Sequence, residues 1–268
     1  MKLFDTHAHY TDSRFAAEYE GGAERLLDEL FTSGVEGIIS ASVNAKNAAE
    51  IIALASRYEK MYVAVGVHPT DSRDCDGIDT ELERIEALLK NKDENKIVAV
   101  GEIGFDYYWE PYDREEQREY FERQMALAEK YGLPAVIHNR EASGDTVSML
   151  ARYPGVVSVI HSCSLSAESV KEVTRGGNVY VSFSGTVTFK NASKVREAAA
   201  AVPIDRLLSE TDCPYLAPHP HRGKLNHSGL MLHTVEALAD VHGVSADEMA
   251  EILLQNARRA FKIDQNCK

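Results

Sequence analysis

Eight short runs rich in Val and Ile, each followed by a longer amphipathic or charged segment, constrain this chain more than any other feature. The runs are KLFDTHAH (2–9), VEGIISAS (35–42), MYVAVGVHP (61–69), KIVAVGEIG (96–104), LPAVIHNR (133–140), VVSVIHS (156–162), VYVSFSG (179–185) and RLLSETD (206–212). Helical patterns lie between them over 24–31, 45–58, 80–90, 114–131, 146–152, 166–174 and 192–200, and a tail over 229–261 supplies an eighth outer helix and one more. Strands alternating with helices imply βαβ units, and nearly continuous apolar strands imply burial on both faces. The expected fold is therefore α/β: one (β/α)8 TIM barrel over residues 1–268, an ordinary length for a single barrel domain. An open doubly wound sheet would bring a Gly-rich phosphate turn directly after its first strand, and the glycine pair at 21 and 22 falls too far along. No internal repeat, low-complexity tract or linker divides the chain.

The polar residues of these runs gather at their ends. Side chains alternate along a strand, so Asp5, His7 and His9 are expected on one face of the first. The third ends near His68, the fourth near Glu102, the fifth on His138, the sixth on His161 and the eighth on Asp212. The C-terminal ends of the strands are where barrel enzymes build active sites. One strand-end histidine is commonly bonded to nearby backbone; five histidines, a glutamate and an aspartate on one rim are hard to explain as core filler. Imidazole and carboxylate ligands without thiolates suit Zn, Mn, Mg, Ni or Fe in a site with open positions. His7 and His9 with Asp212 could hold one ion, His138 and His161 a second, and Glu102 is placed to bridge them. Two such ions, about 3.5 to 4 Å apart, activate water and clamp the attacking and leaving oxygens of a displacement. The implied reaction class is metal-assisted hydrolysis with two divalent ions, Mg, Mn or Zn.

The stretches FDTHAHY, VGVHP, VAVGEIGFDYY, PAVIHNREA, VYVSFSGTVTFKNA, LLSETDCPYLAP, HRGKLN and NARRAF span the chain in order, and with them it resembles the TatD-family metal-dependent deoxyribonucleases of the amidohydrolase-like superfamily. Carried over position by position, the resemblance implies metal ligation by His7, His9, Glu102, His138, His161 and Asp212, the set reached from the strand ends. Asp212 is also expected as general base, taking a proton from the attacking water and passing it to the leaving group. His68 falls outside the carried-over set and is read as a substrate contact or a support for the ligands. Arg140, and Arg222, Lys224 and Asn226 in the loop after the eighth strand, are candidates for holding phosphate, since late barrel loops often do so and Arg binds phosphate with two hydrogen bonds. A solvated loop is the competing reading. Tyr107, Tyr108 and Trp109 could stack on bases of a single strand or pack their own loop. The chain departs from the family pattern where HSCSL (161–165) stands for HCFSG and LNHS (225–228) for RNEP. These changes remove no ligand and bear on substrate contacts at 162–165 and at His227.

A net charge of −13 argues against a broad electrostatic grip on nucleic acid, though not against a polyanion held at a locally positive site. Cys75, Cys163, Cys213 and Cys267 show no paired spacing, which fits reduced thiols. No apolar stretch approaches the length of a membrane span and no signal-peptide core precedes Asp5, so a cytoplasmic protein without membrane or obligate protein partner is expected. The leading function is hydrolysis of DNA phosphodiester bonds, as a 3′-5′ exonuclease on single strands. The alternatives are an amide or ester hydrolase, such as a D-aminoacyl-tRNA deacylase, which would have less need of the three cations, and a non-enzymatic barrel with structural metal.

Overall fold

A computed structural model describes residues 1–263; Cys267 lies outside the described residues. Eight parallel strands follow one another around a single sheet in chain order: β1 (Leu3–Ala8), β2 (Val35–Ala41), β3 (Met61–Val65), β4 (Ile97–Asp106), β5 (Ala135–Arg140), β6 (Ser158–Ile160), β7 (Val179–Phe183) and β8 (Leu207–Ser209). The helices are α1 (Ser13–Glu18), α2 (Gly22–Thr32), α3 (Ala45–Ala55), α4 (Ile78–Leu89), α5 (Arg114–Tyr131), α6 (Ser143–Arg152), α7 (Ala167–Thr174), α8 (Ser193–Ala201), α9 (Met231–His242) and α10 (Ala246–Phe261). The architecture is the TIM barrel that the eight runs imply, with α1 as a short addition that the sequence pattern does not announce. No helix among the described residues is long and apolar enough to cross a membrane.

Local chemistry sets the helix ends. Asp113 accepts the backbone N–H groups of Glu115 and Glu116 at the start of α5, and Gly132 ends it in the left-handed conformation. Ser245 caps α10 by accepting the Glu248 N–H, with Asp247 and Glu248 in the first turn and Arg258 and Arg259 in the last, each sign matched to the helix dipole.

Every strand contributes to one apolar cluster, including Phe4, Ile39, Ala64, Val136, Tyr180 and Leu208, and this is the barrel lumen. Leu254, Ala257 and Phe261 of α10 join the same cluster. The α10 residue Asn256 donates to the carbonyls of Ile204 and Leu207 at 2.8 Å, and Lys262 donates to Gly132 O at 2.9 Å, so α10 lies across the entries of β8 and β5. It closes the N-terminal mouth and leaves the C-terminal mouth as the open end.

The ring closes between β1 and β8. Asp212 N–H donates to His7 O at 2.9 Å and His9 N–H to Cys213 O at 2.8 Å, next to a parallel bridge between Ala8 and Cys213. Asp5 serves this closure and does not join the two histidines as the alternation suggests. Its carboxylate accepts the Thr211 N–H and hydroxyl at 2.9 and 2.6 Å and the Ser228 hydroxyl at 2.7 Å. Burial pushes its pKa up to about 6 against the pull of those bonds. The simple alternation fails because the pairing register with β2 shifts between Asp5 and Ala8. A second shift lies between Val100 and Ile103, around Glu102. Such irregularities re-aim individual side chains, and both sit at residues of the rim cluster.

Gly104, two residues beyond Glu102, permits the closest approach of β4 to β5. Its φ is +144°, and a Cβ there would stand 2.0 Å from the carbonyl oxygen of His138. Gly104→Ala should therefore lower stability by about 3 kcal/mol. An unchanged urea midpoint would show that the strands accommodate the methyl.

Candidate metal centre

The polar rim residues converge on one fully buried carboxylate. Glu102 Oε2 lies 3.2 Å from His7 Nε2 and 3.6 Å from His9 Nε2. Its other oxygen, Oε1, lies 2.7 Å from His138 Nδ1, 2.8 Å from His161 Nε2 and 3.4 Å from His68 Nε2. Asp212 Oδ1 stands 3.4 Å from His9 Nε2 and 3.8 Å from His7 Nε2. Its backbone φ is +56°, the left-handed region that few residues other than glycine enter. All six residues carried over as ligands thus meet in one centre, with one Glu102 oxygen toward each histidine group. His161 belongs to both sides, because its ring stacks on that of His7 with centroids 4.1 Å apart. Glu102 lies inside β4, four residues before its end, while Asp212 follows β8 by three residues.

The outer nitrogen of each ring decides what the inner one can do. His9 Nδ1 faces the carbonyl of Ala41 at 3.1 Å, His138 Nε2 faces Asp106 Oδ2 at 2.9 Å, and His161 Nδ1 faces Glu210 Oε1 at 3.3 Å. Each partner is an acceptor, so each outer nitrogen carries a proton and the inner nitrogen is the one free to exchange its proton for a metal ion. Three inner nitrogens gathered on a carboxylate need positive charge among them, whether protons or a divalent cation. His68 stands beside them: its Nε2 lies 3.4 Å from Glu102 Oε1, its Nδ1 meets the Thr70 hydroxyl at 2.7 Å and Asp71 Oδ2 at 3.5 Å, and against burial Glu102 and Asp71 raise it to about 9. His7 has no such partner, and its Nδ1 is buried without one among the described residues.

The electrostatics agree that the centre calls for positive charge. Burial opposes ionisation of Glu102, yet His161, His68 and His7 outweigh it and hold the carboxyl well below its usual range. Burial likewise opposes charge on His161, but Glu102 and Glu210 raise it well above the ordinary imidazole value. His9 is raised against burial by Asp212 and Glu102, whereas burial and the neighbouring His161 lower His7. Protons and metal ions compete for such a cluster, so ion binding releases protons.

Asp106 and Glu210 do not figure in the strand-end reading, though both are buried and each meets an imidazole of the centre. Asp106 Oδ2 holds His138 while Oδ1 accepts the backbone N–H groups of Tyr108 and Trp109 at 2.9 and 3.1 Å. Glu210 accepts His161 and the Ser162 N–H.

The cluster floors an open cavity of about 570 Å³, and Arg140 and Trp109 stand at its mouth. Arg222 and Lys224 line a neighbouring cavity and not this one. Asn226 corrects the sequence reading. It is fully buried, its amide donates to the carbonyls of Thr211 and Tyr215 and its oxygen accepts the His227 N–H, which leaves nothing for phosphate. Tyr107 is also turned inward, its hydroxyl on Asp145 at 2.8 Å. In the HSCSL stretch, Ser164 bonds to the backbone carbonyl of Asn139, and His227 accepts the Gly229 N–H.

The chain matches the model of the family described as TatD related DNase over residues 4–262. It is 37% identical over 264 residues to the uncharacterized metal-dependent hydrolase YabD of Bacillus subtilis, covering 98% of this chain and all of that one. It is 34% identical to the uncharacterized metal-dependent hydrolase TatD of Mycobacterium tuberculosis, covering 97% of each. The crystal structure of YjjV, a TatD homolog from Escherichia coli, superposes with a TM-score of 0.89 at 30% identity over 97% of this chain and 98% of that one.

Asp106→Asn and Glu210→Gln should each weaken binding of Zn or Mn by about ten- to a hundredfold, because each removes the acceptor that fixes one imidazole. Calorimetric titration measures this, with circular dichroism as the check on folding. Affinities equal to wild type would mean the rings hold their orientation without these carboxylates.

Proposed function

The chain belongs to the TatD-related DNase family and is a metal-dependent hydrolase, and from that premise we propose that it cleaves DNA phosphodiester bonds with two divalent ions, as a 3′-5′ exonuclease on single strands. The observation that carries this reading is Glu102, whose one oxygen faces His7 and His9 and whose other faces His138 and His161. His7, His9 and Asp212 would hold one ion, His138 and His161 the other, with Glu102 shared. Bound there, the ions would lower the pKa of water and neutralise charge on phosphate.

The remaining work falls to the chain's own groups. Asp212 sits at the cavity side of the cluster, where its carboxylate takes a proton from the attacking water as the water oxygen bonds to phosphorus. The bond from phosphorus to the leaving 3′ oxygen breaks, and the same proton passes to that oxygen. His68 lines the cavity with its Nε2 facing Glu102 at 3.4 Å and its ring edge-on to His138 at 4.5 Å between centroids, which suits it to support the ligands. Arg140 lies with its guanidinium 3.9 Å over the Tyr108 ring and 5.3 Å from the Trp109 centroid. These three form a surface on which a base of the departing nucleotide can stack, worth about 1 to 3 kcal/mol per base. A cavity ringed by such groups favours an unpaired strand end, whose bases are free to stack, over a paired duplex.

End-labelled single-stranded DNA incubated with Mg or Mn should shorten stepwise from its 3′ end, and excess chelator should stop it. Glu102→Gln and Asp212→Asn should lower the rate by at least about a thousandfold, the scale for losing a metal bridge or a proton acceptor. A folded, metal-loaded protein that shortens no DNA would sink the reading and direct attention to ester and amide substrates.

A further inference from the structure

Among the described aromatic residues, three are largely exposed: Tyr108 at 46%, Trp109 at 54% and Tyr215 at 47%. Trp109 and Tyr215 stand at the mouth of the metal cavity, and Tyr108 meets Trp109 edge-on with centroids 4.8 Å apart. Trp109 follows β4 and Tyr215 follows β8, four strands apart in a ring of eight, so the two face each other across it. Apolar rings left in water at opposite sides of one opening call for a function, since most large side chains of this chain are buried.

The Tyr215 wall is built like the Trp109 wall. A guanidinium lies over each: Arg140 over Tyr108, and Arg14 at 3.9 Å from the Tyr215 centroid. A carboxylate fixes each. Asp106 holds the backbone of Tyr108 and Trp109, while Asp12 binds Arg14 through both oxygens at 3.0 and 2.8 Å and accepts the Tyr215 hydroxyl at 3.2 Å. The edge of Tyr215 meets the ring of His9 at 6.4 Å between centroids, which puts this wall beside the metal centre.

Behind Tyr215 a second cavity of about 430 Å³ opens, lined by Arg14, Arg222 and Lys224 with Glu18 at its side. Arg222 is held 4.2 Å over the Phe189 ring, and among the described residues neither Arg222 nor Lys224 makes an ion pair. Two free cations in a chain of net charge −13 mark a local anion site.

We propose that Tyr215, backed by Arg14, is a second base-stacking wall opposite Trp109, and that the cavity of Arg222 and Lys224 takes the phosphate one nucleotide further along an unpaired DNA strand. This rests on the phosphodiesterase reading and specifies its substrate: a strand crossing the mouth from Trp109 to Tyr215, with the bases on either side of the scissile phosphate each on its own wall. A duplex cannot bind this way, because its bases are already stacked and paired.

Trp109 is the chain's single tryptophan, so its fluorescence reports occupancy of the mouth. Metal-free protein in EDTA should be quenched by a ten-nucleotide thymidine oligomer and not by a blunt duplex of that length. Tyr215→Ala should weaken oligomer binding about tenfold while Tyr215→Phe, which keeps the ring, restores it. Arg222→Gln combined with Lys224→Gln should flatten the salt dependence of binding by roughly one to two in slope. Unchanged affinity in Tyr215→Ala, with an unchanged salt slope in the double variant, would overturn the proposal, and so would equal quenching by the duplex. Wild-type turnover of bis(p-nitrophenyl) phosphate in Mn separates the two readings: cleavage of this small diester together with those unchanged affinities leaves the hydrolase intact and removes only the strand path.

Discussion

A fully buried glutamate with an imidazole group on each of its oxygens sets the terms for the rest of this structure. An isolated carboxylate in the barrel would cost several kcal/mol, and removing one partner from a buried pair costs about 3 to 5 kcal/mol. Glu102 is tolerable only because His7, His9, His138, His161 and His68 all reach it. Reaching it requires β4 to carry the residue inward from mid-strand, which the register shift at Val100 to Ile103 and the close β4–β5 approach at Gly104 allow. The strain of the site is thus borne by the backbone, at a break in register, at one glycine and at the left-handed Asp212.

Carboxylates further out turn this cluster from a set of histidines into an oriented site. Asp106 bonds an inner imidazole with one oxygen and the backbone of the aromatic wall with the other, so the positions of His138 and Trp109 are set by one group. Asp12 does the equivalent at the opposite side, capping α1 while holding Arg14 and Tyr215. On the proposed reading, a metal ligand and a stacking surface are thus linked through Asp106, while Asp12 orients the opposite wall alone. Rigid support of this kind is what a reaction with narrow geometric tolerance requires.

Much of the barrel was legible because a parallel strand buried on both faces must be apolar, and a polar residue at its end then stands out. His7, His9, His138 and His161 are visible on that ground, and Glu102 and Asp212 follow. The misses have a common physical origin. Asp106 and Glu210 act through their second contacts, and from sequence each is one more acidic residue in a chain with 42 of them. Their spacing was the available signal, since Asp106 still lies on β4 and Glu210 stands two residues before Asp212. Asn226 misled because a polar residue in a loop looks solvent-facing, whereas the loop folds back and spends its amide on the carbonyls of Thr211 and Tyr215. Tyr215 passed unnoticed for the converse reason. Nothing in ETDCPYLAP tells whether that ring packs inward or stands in water; only the partnership with Asp12 and Arg14, some two hundred residues away, decides it.

A strongly acidic chain acting on a polyanion looks contradictory until distance is considered. Charges in water are screened over about 8 Å at physiological salt, so the outer surface contributes little to what a phosphate feels inside the mouth. The mouth carries Arg140 and His68 but also Asp12, Asp71, Glu102, Asp106 and Asp212, with Arg222 and Lys224 in the adjoining cavity, so the positive charge a phosphate needs there would come mainly from ions held in the centre. Ions in the centre would add charge where the dielectric is low and screening weak. On the proposed reading, affinity comes from a few contacts at a strand end and not from an extended basic track. Long duplex would gain little by lying along the surface, and the preference for free, unpaired ends would follow from the same distribution of charge that keeps the rest of the molecule negative.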